Sequence, residues 1–108
     1  MSNRVNWDEY ETALLIEGFW DIERNPSNRA KIIKKISDNL RTKAVNEGLD
    51  IDDKFRNTNG ISLQLVSIGY AFFPNRRACT ISTVFKKMVL MFENNKSEFD
   101  VILKKLTC

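Results

Sequence analysis

Phe55-Arg56-Asn57-Thr58-Asn59-Gly60-Ile61-Ser62-Leu63-Gln64-Leu65-Val66-Ser67-Ile68-Gly69-Tyr70-Ala71-Phe72-Phe73-Pro74 is the stretch on which the reading of this chain turns. It opens with amide and hydroxyl side chains of the kind that cap helices. Ile61, Leu65, Ile68 and Phe72 then follow at the i, i+4, i+7, i+11 spacing of one helical face. Gly60, Gln64, Ser67 and Ala71 read as the opposite face, small and uncharged, and Pro74 stops the helix. A helix of this kind is apolar behind and small-polar in front, so it can lie close against another surface.

Upstream, Lys31, Lys34, Lys35 and Arg41 lie off a stripe of Ile33, Ile36, Leu40 and Ala44, and Gly48 sits where a C-terminal cap is needed. Asn25 or Ser27 is expected to cap this second helix, with Pro26 early in it. Before it, Asn6 as N-cap with Glu9 three residues on opens a first helix. Its apolar residues, Trp7, Tyr10, Leu14, Leu15, Phe19 and Ile22, make a broad buried face. Downstream, Thr80 or Ser82 caps a helix that buries Ile81, Val84, Phe85, Met88 and Phe92. Ser97-Glu98-Phe99-Asp100 resembles a capping box and opens a last helix with Phe99, Ile102, Leu103 and Leu106 inward.

The periodicity therefore predicts helices near 7–23, 28–46, 59–72, 81–93 and 97–106. The fold class expected is an all-α bundle of about five helices with a helix-turn-helix-like core, formed as a single domain over 1–108. Ile36, Leu40, Ile61, Leu65, Ile68, Phe85 and Met88 are expected in one core.

Composition bounds the chemistry. The 108 residues are 43% hydrophobic and 29% charged, as in folded globular proteins. No apolar run approaches the roughly 20 residues of a membrane span, and no apolar signal core follows the N-terminus, so a cytoplasmic protein is expected. There is no histidine, the commonest general base and metal ligand. Cys79 and Cys108 form no CxxC pair and read as reduced thiols. The acids Asp50, Asp52 and Asp53 lack the central Gly and closing Glu of a calcium loop. No cofactor, no metal site and no catalytic residue is expected, and the chain does not read as an enzyme.

Charge is uneven along the chain. Residues 1–23 carry one basic and six acidic groups, whereas 24–47 carry seven basic and two acidic. A two-signed surface is the expectation, with Lys31, Lys34, Lys35, Arg41, Arg76, Arg77, Lys86 and Lys87 available for phosphate contacts.

The segment Phe55–Leu65 resembles a helical region at the N-terminus of bacterial HNH-type endonucleases and other restriction-like proteins, together with Trp7-x-x-x-Glu11-x-x-Leu14-Leu15-x-x-x-Phe19 and Thr80–Phe85. It is also similar to the third helix of Myb- or SANT-like helix-turn-helix modules. The resemblance implies recognition of duplex DNA by Arg56, Asn57, Asn59, Gln64 and Ser67. Asn and Gln can pair with adenine, and Arg with guanine, in the major groove. Without histidine there is no HNH nuclease centre, so a bacterial or phage accessory module is implied. The other reading is a protein-interaction domain, such as a small subunit or inhibitor of a nuclease or defence protein. Its support is the acidic first helix and the aromatic surplus at Phe19, Trp20, Tyr70, Phe72 and Phe73. Basic side chains converging beside Gln64 would favour DNA. Dispersed basic side chains, with an apolar patch elsewhere, would favour a protein partner.

Overall fold

A computed structural model describes residues 7–73 and 82–104. Five helices form within them: α1 (Glu9–Arg24), α2 (Arg29–Asn46), α3 (Thr58–Phe72), α4 (Thr83–Asn94) and α5 (Lys96–Lys104). No strand occurs among the described residues, so the all-α expectation holds.

The helix around which the others are arranged is α1, which packs against each of α2, α3, α4 and α5. Its sequence explains this. Ala13, Leu15, Ile16, Phe19 and Ile22 are buried, and so are Thr12 and Gly18 on the sides between them, so little of the helix faces water. Gly18 lets α2 approach: a β-carbon there would stand 2.5 Å from Cδ1 of Ile36, inside van der Waals contact. Thr12 is satisfied inside by donating from Oγ1 to the Asp8 carbonyl at 2.7 Å.

One apolar core runs through the bundle, and it contains Ile36, Leu40, Ile61, Leu65, Ile68, Phe85 and Met88, as the periodicity predicts. Leu106 lies outside the described residues. At the C-terminal end of α1 the core becomes aromatic. Trp20 lies 5.0 Å from Phe72, 5.2 Å from Phe19 and 5.6 Å from Phe73, centroid to centroid, mostly edge to face.

Helix ends depart from the sequence reading in particular ways. Asp8, not Asn6, caps α1: its Oδ1 accepts from Glu11 N–H at 2.8 Å while Glu11 Oε1 accepts from Asp8 N–H at 3.1 Å, a reciprocal capping box. Pro26–Asn28 form a single 3-10 turn, and neither Asn25 nor Ser27 caps α2. Asn95, rather than Ser97, bonds at the start of α5, with its Nδ2 donating to Glu98 at 2.9 Å; Asp100 instead pairs with Lys96 at 2.6 Å.

The cap at Gly48 forms as expected. Its φ is +83°, Gly48 N–H donates to Val45 O and Leu49 N–H to Ala44 O, the paired bonds of a Schellman end. Ser82 caps α4 by accepting from Phe85 N–H at 3.2 Å, while Thr80 and Ile81 lie outside the described residues. Residues 47–57 connect α2 to α3. That path is longer than the turn of about three or four residues in a helix-turn-helix motif, so α3 is not entered in that way.

Candidate functional site

The connection into α3 is held by charged side chains turned inward. Arg56 Nε donates to Glu11 Oε2 at 2.9 Å and its Nη2 to Oε1 at 3.1 Å, with the two side chains only 9% and 6% exposed. The guanidinium stacks 4.0 Å from the Trp7 ring centre and 4.6 Å from that of Phe55. Arg56 adopts φ +48°, uncommon for a residue with a β-carbon, and Ser37 Oγ donates to its carbonyl at 2.6 Å. Arg41 donates to the carbonyls of Asp52 and Phe55. Asp52 Oδ1 accepts from the N–H groups of Lys54 and Phe55, so this acid shapes a turn.

These contacts decide the fate of several sequence candidates. Arg56 spends its guanidinium on Glu11, with only 9% of its side chain exposed. Asn57 is the N-cap of α3, its Oδ1 accepting from Gly60 N–H at 2.8 Å. Asn59 is exposed, while Gln64 and Ser67 are half-buried.

Of the phosphate candidates, Arg41 holds loop carbonyls, Lys87 pairs with Glu9 of α1, and Lys34 pairs with Asp38 at 2.9 Å. Lys31, Lys35 and Lys86 are exposed. Arg76 and Arg77, like Cys79 and Cys108, lie outside the described residues. The helices bearing these cations, α2 and α4, are not packed against each other. Among the described residues the cations thus divide between two helices that do not touch.

Charge segregation along the chain becomes neutralisation in space. The acids at the start of α1 meet cations from three places: Asp8 lies 3.5 Å from Lys43 of α2, Glu11 binds Arg56, and Glu9 binds Lys87 of α4. Lys43 also pairs with Glu47 at 3.1 Å and stands over the Tyr10 ring. Burial alone would lower the Lys43 pKa, but the Glu47 hydrogen bond and the nearby Asp8, Glu47 and Glu11 charges outweigh it and raise the value above 10.5. Burial likewise raises Tyr10 above 10.0, against the opposing pull of Lys43. These residues border a polar groove of about 420 Å³ with Asn39, Thr42 and Asn46 of α2. Its polar side chains are those of an ordinary solvated helix face. Among the described residues no set of three or more His, Cys, Asp or Glu could hold a metal ion. No helix there is long and apolar enough to cross a membrane.

The outward side of α3 differs from the sequence reading. At 3.6 residues per turn, the Gly60, Gln64, Ser67 and Ala71 row lies on a flank of the helix, next to the buried stripe rather than opposite it. Opposite the stripe stand Asn59, Leu63, Val66 and Tyr70. Leu63 is 62% exposed, and Val66 and Tyr70 are half-buried. No residue of α3 is charged.

Beside this row lies a cleft of about 210 Å³. Phe19, Ile22 and Glu23 of α1 line one wall, Leu65, Val66, Gly69 and Tyr70 of α3 another, and Arg29 of α2 completes it. Arg29 also donates to Ser62 Oγ at 2.7 Å, tying α2 to α3 at the rim. Gly69 keeps the wall thin, since a β-carbon there would stand 3.2 Å from the Phe19 ring. Phe19 itself is buried, and Trp20, Phe72 and Phe73 are engaged with one another. The expected aromatic contact patch is thus mostly core, with Phe19 and Tyr70 lining the cleft.

Sequence reasoning missed Leu63. The signal was present: an apolar residue half a turn away from the apolar stripe, on a helix without charge. Compared with models of protein families, with curated proteins and with solved structures, the chain finds no match among any of the three.

Proposed function

We propose that this chain is a protein-interaction module and that the outward side of α3, with its adjoining cleft, is the surface a partner protein covers. The observation that carries this reading is Leu63, 62% exposed on an uncharged helix beside an apolar-walled cleft of about 210 Å³. An exposed leucine alone is ordinary. One that continues into Val66, Tyr70 and a cleft is a patch. The cleft is smaller than the roughly 300 Å³ at which small-molecule pockets begin, but it suits one anchoring side chain from a protein. The resemblance to the accessory region of HNH-type endonucleases fits a role in which another polypeptide supplies the activity. The use of Arg56 and Arg41 inside the fold supports this reading over a DNA reader.

Selection of binders from a random displayed-peptide library tests it. Enriched peptides should lose at least about tenfold in affinity for Leu63→Asp while binding Lys86→Ala unchanged. A parent chain that enriches no peptide, yet binds duplex DNA saturably at low salt, overturns the proposal in favour of nucleic acid.

A further inference from the structure

Among the described helices α3 alone carries no charged residue. Exposure of a large apolar side chain is not peculiar to it: Val45 of α2, Leu90 of α4 and Val101 of α5 are exposed to 57%, 58% and 65%, against 62% for Leu63. Their surroundings differ. Arg41 lies one turn from Val45, Lys86 and Lys87 one turn from Leu90, and Glu98 and Lys104 one turn from Val101. Around Leu63 the same positions hold Asn59, Gly60, Val66 and Ser67. Leu63, Val66, Ser67 and Tyr70 moreover stand at i, i+3, i+4 and i+7, the spacing of a seam along which two helices pack.

From this uncharged seam we infer that the occupant of the α3 surface is a second copy of this chain, paired antiparallel about a two-fold axis between Val66 and Ser67. The inference rests on the docking role proposed above and names its occupant. Symmetry supplies the reason. About a two-fold axis a surface meets itself, so like charges near the axis repel their own counterparts, and α3 has none. Interfaces between identical subunits are also the more apolar kind, whereas charge complementarity is what selects a different protein. The antiparallel register sets Leu63 against Tyr70 of the partner subunit, and Val66 against Ser67 of the partner subunit. Apolar area withdrawn from water at Leu63, Val66 and Tyr70 supplies the affinity. The 15 residues of α3 span only about 22 Å. One such face is smaller than the roughly 800 Å² per subunit of a standard interface, so the dimer is weak, with a Kd on the order of 10–100 μM.

Sedimentation equilibrium tests this, with circular dichroism to compare only folded variants. The parent should pass from monomer to dimer between about 5 and about 500 μM. Leu63→Asp should raise the Kd at least about tenfold, and Leu90→Asp, a change at a similarly exposed site on α4, should leave it unchanged. Adding Tyr70→Lys to Leu63→Asp should recover at least about threefold at low ionic strength, because the antiparallel register sets each introduced carboxylate against an introduced ammonium. A dimer that Leu63→Asp leaves intact, or that the double variant weakens further, overturns the inference. A parent that stays monomeric at about 500 μM while displayed peptides bind it through Leu63 overturns the second copy and leaves the docking surface standing. A monomeric parent that enriches no such peptide overturns both.

Discussion

At its N-terminal end α1 is fixed by bonds with direction: Glu11 accepts from two nitrogens of Arg56, Asp8 and Glu11 cap each other, and Glu9 reaches Lys87. At its C-terminal end Phe19 and Trp20 join a cluster of rings, and the Trp20 indole N–H finds no acceptor among the described residues. The difference teaches how one helix can both order a fold and leave room for a partner. Directed bonds specify which residue of the loop enters α3 and in what orientation. Ring packing tolerates small shifts, and it is against Phe19 that the cleft opens. The rigid end sets the register of α3, and the accommodating end borders the surface assigned to binding.

Breaking the directed end should have the largest effect. Glu11→Ala leaves the Arg56 guanidinium buried without its carboxylate and should cost about 3–5 kcal/mol in urea denaturation. Replacing both partners, Glu11→Leu with Arg56→Met, should restore stability to within about 1 kcal/mol of the parent or above it. A single variant that loses less than about 1 kcal/mol would place the pair outside the set of contacts that pins α3.

Next in size is the apolar interior between the two ends. Leu65, 3% exposed, should cost about 2–5 kcal/mol when cut to alanine, through lost burial and the cavity left behind. Asn57→Ala removes the α3 cap next to Arg56 and should cost about 0.5–2 kcal/mol by the same measurement. A larger loss would mean that the cap and the Glu11–Arg56 pair act as one unit, which a double-mutant cycle would show.

Raising the pH sharpens the comparison from the polar side. Lys43 and Tyr10 both hold their protons more tightly folded than unfolded. Their contribution to stability is whole below about pH 10 and is lost as pH rises through the folded values. Thermal melts of the parent should therefore fall as pH rises above about 10, and Lys43→Met with Tyr10→Phe should flatten that limb. Leu63→Asp should change stability least, within about 0.5 kcal/mol, because the side chain is already in water. A larger change would mean that Leu63 belongs to the fold rather than to a contact surface.

How much was legible depended on whether a residue's partner lay nearby in sequence. Helices and core follow from apolar spacing, so Ile61, Leu65 and Ile68 could be placed inward without knowing what they touch. Caps were legible where one candidate stood alone, as at Gly48. The first cap differs from the sequence reading: Asp8 rather than Asn6 takes it, because the Asp8 and Glu11 carboxylates each accept the other's N–H. The resemblance implies a DNA-reading role for Arg56, whereas its guanidinium meets Glu11. Nothing local shows that Glu11, 45 residues earlier, stands where its guanidinium points.

The sequence by itself determined the class of fold, the five helices and the faces they bury, because a 3.6-residue period and turn chemistry are local properties of the chain. It also removed histidine chemistry, which no folding could restore. Only the tertiary structure decided that α1 is surrounded by the other helices, that its acids neutralise distant cations, and that Leu63 is left in water beside a cleft. Those outcomes depend on which helices lie next to one another. That choice is made by long-range packing of many comparable apolar faces, among which short-range pattern does not discriminate.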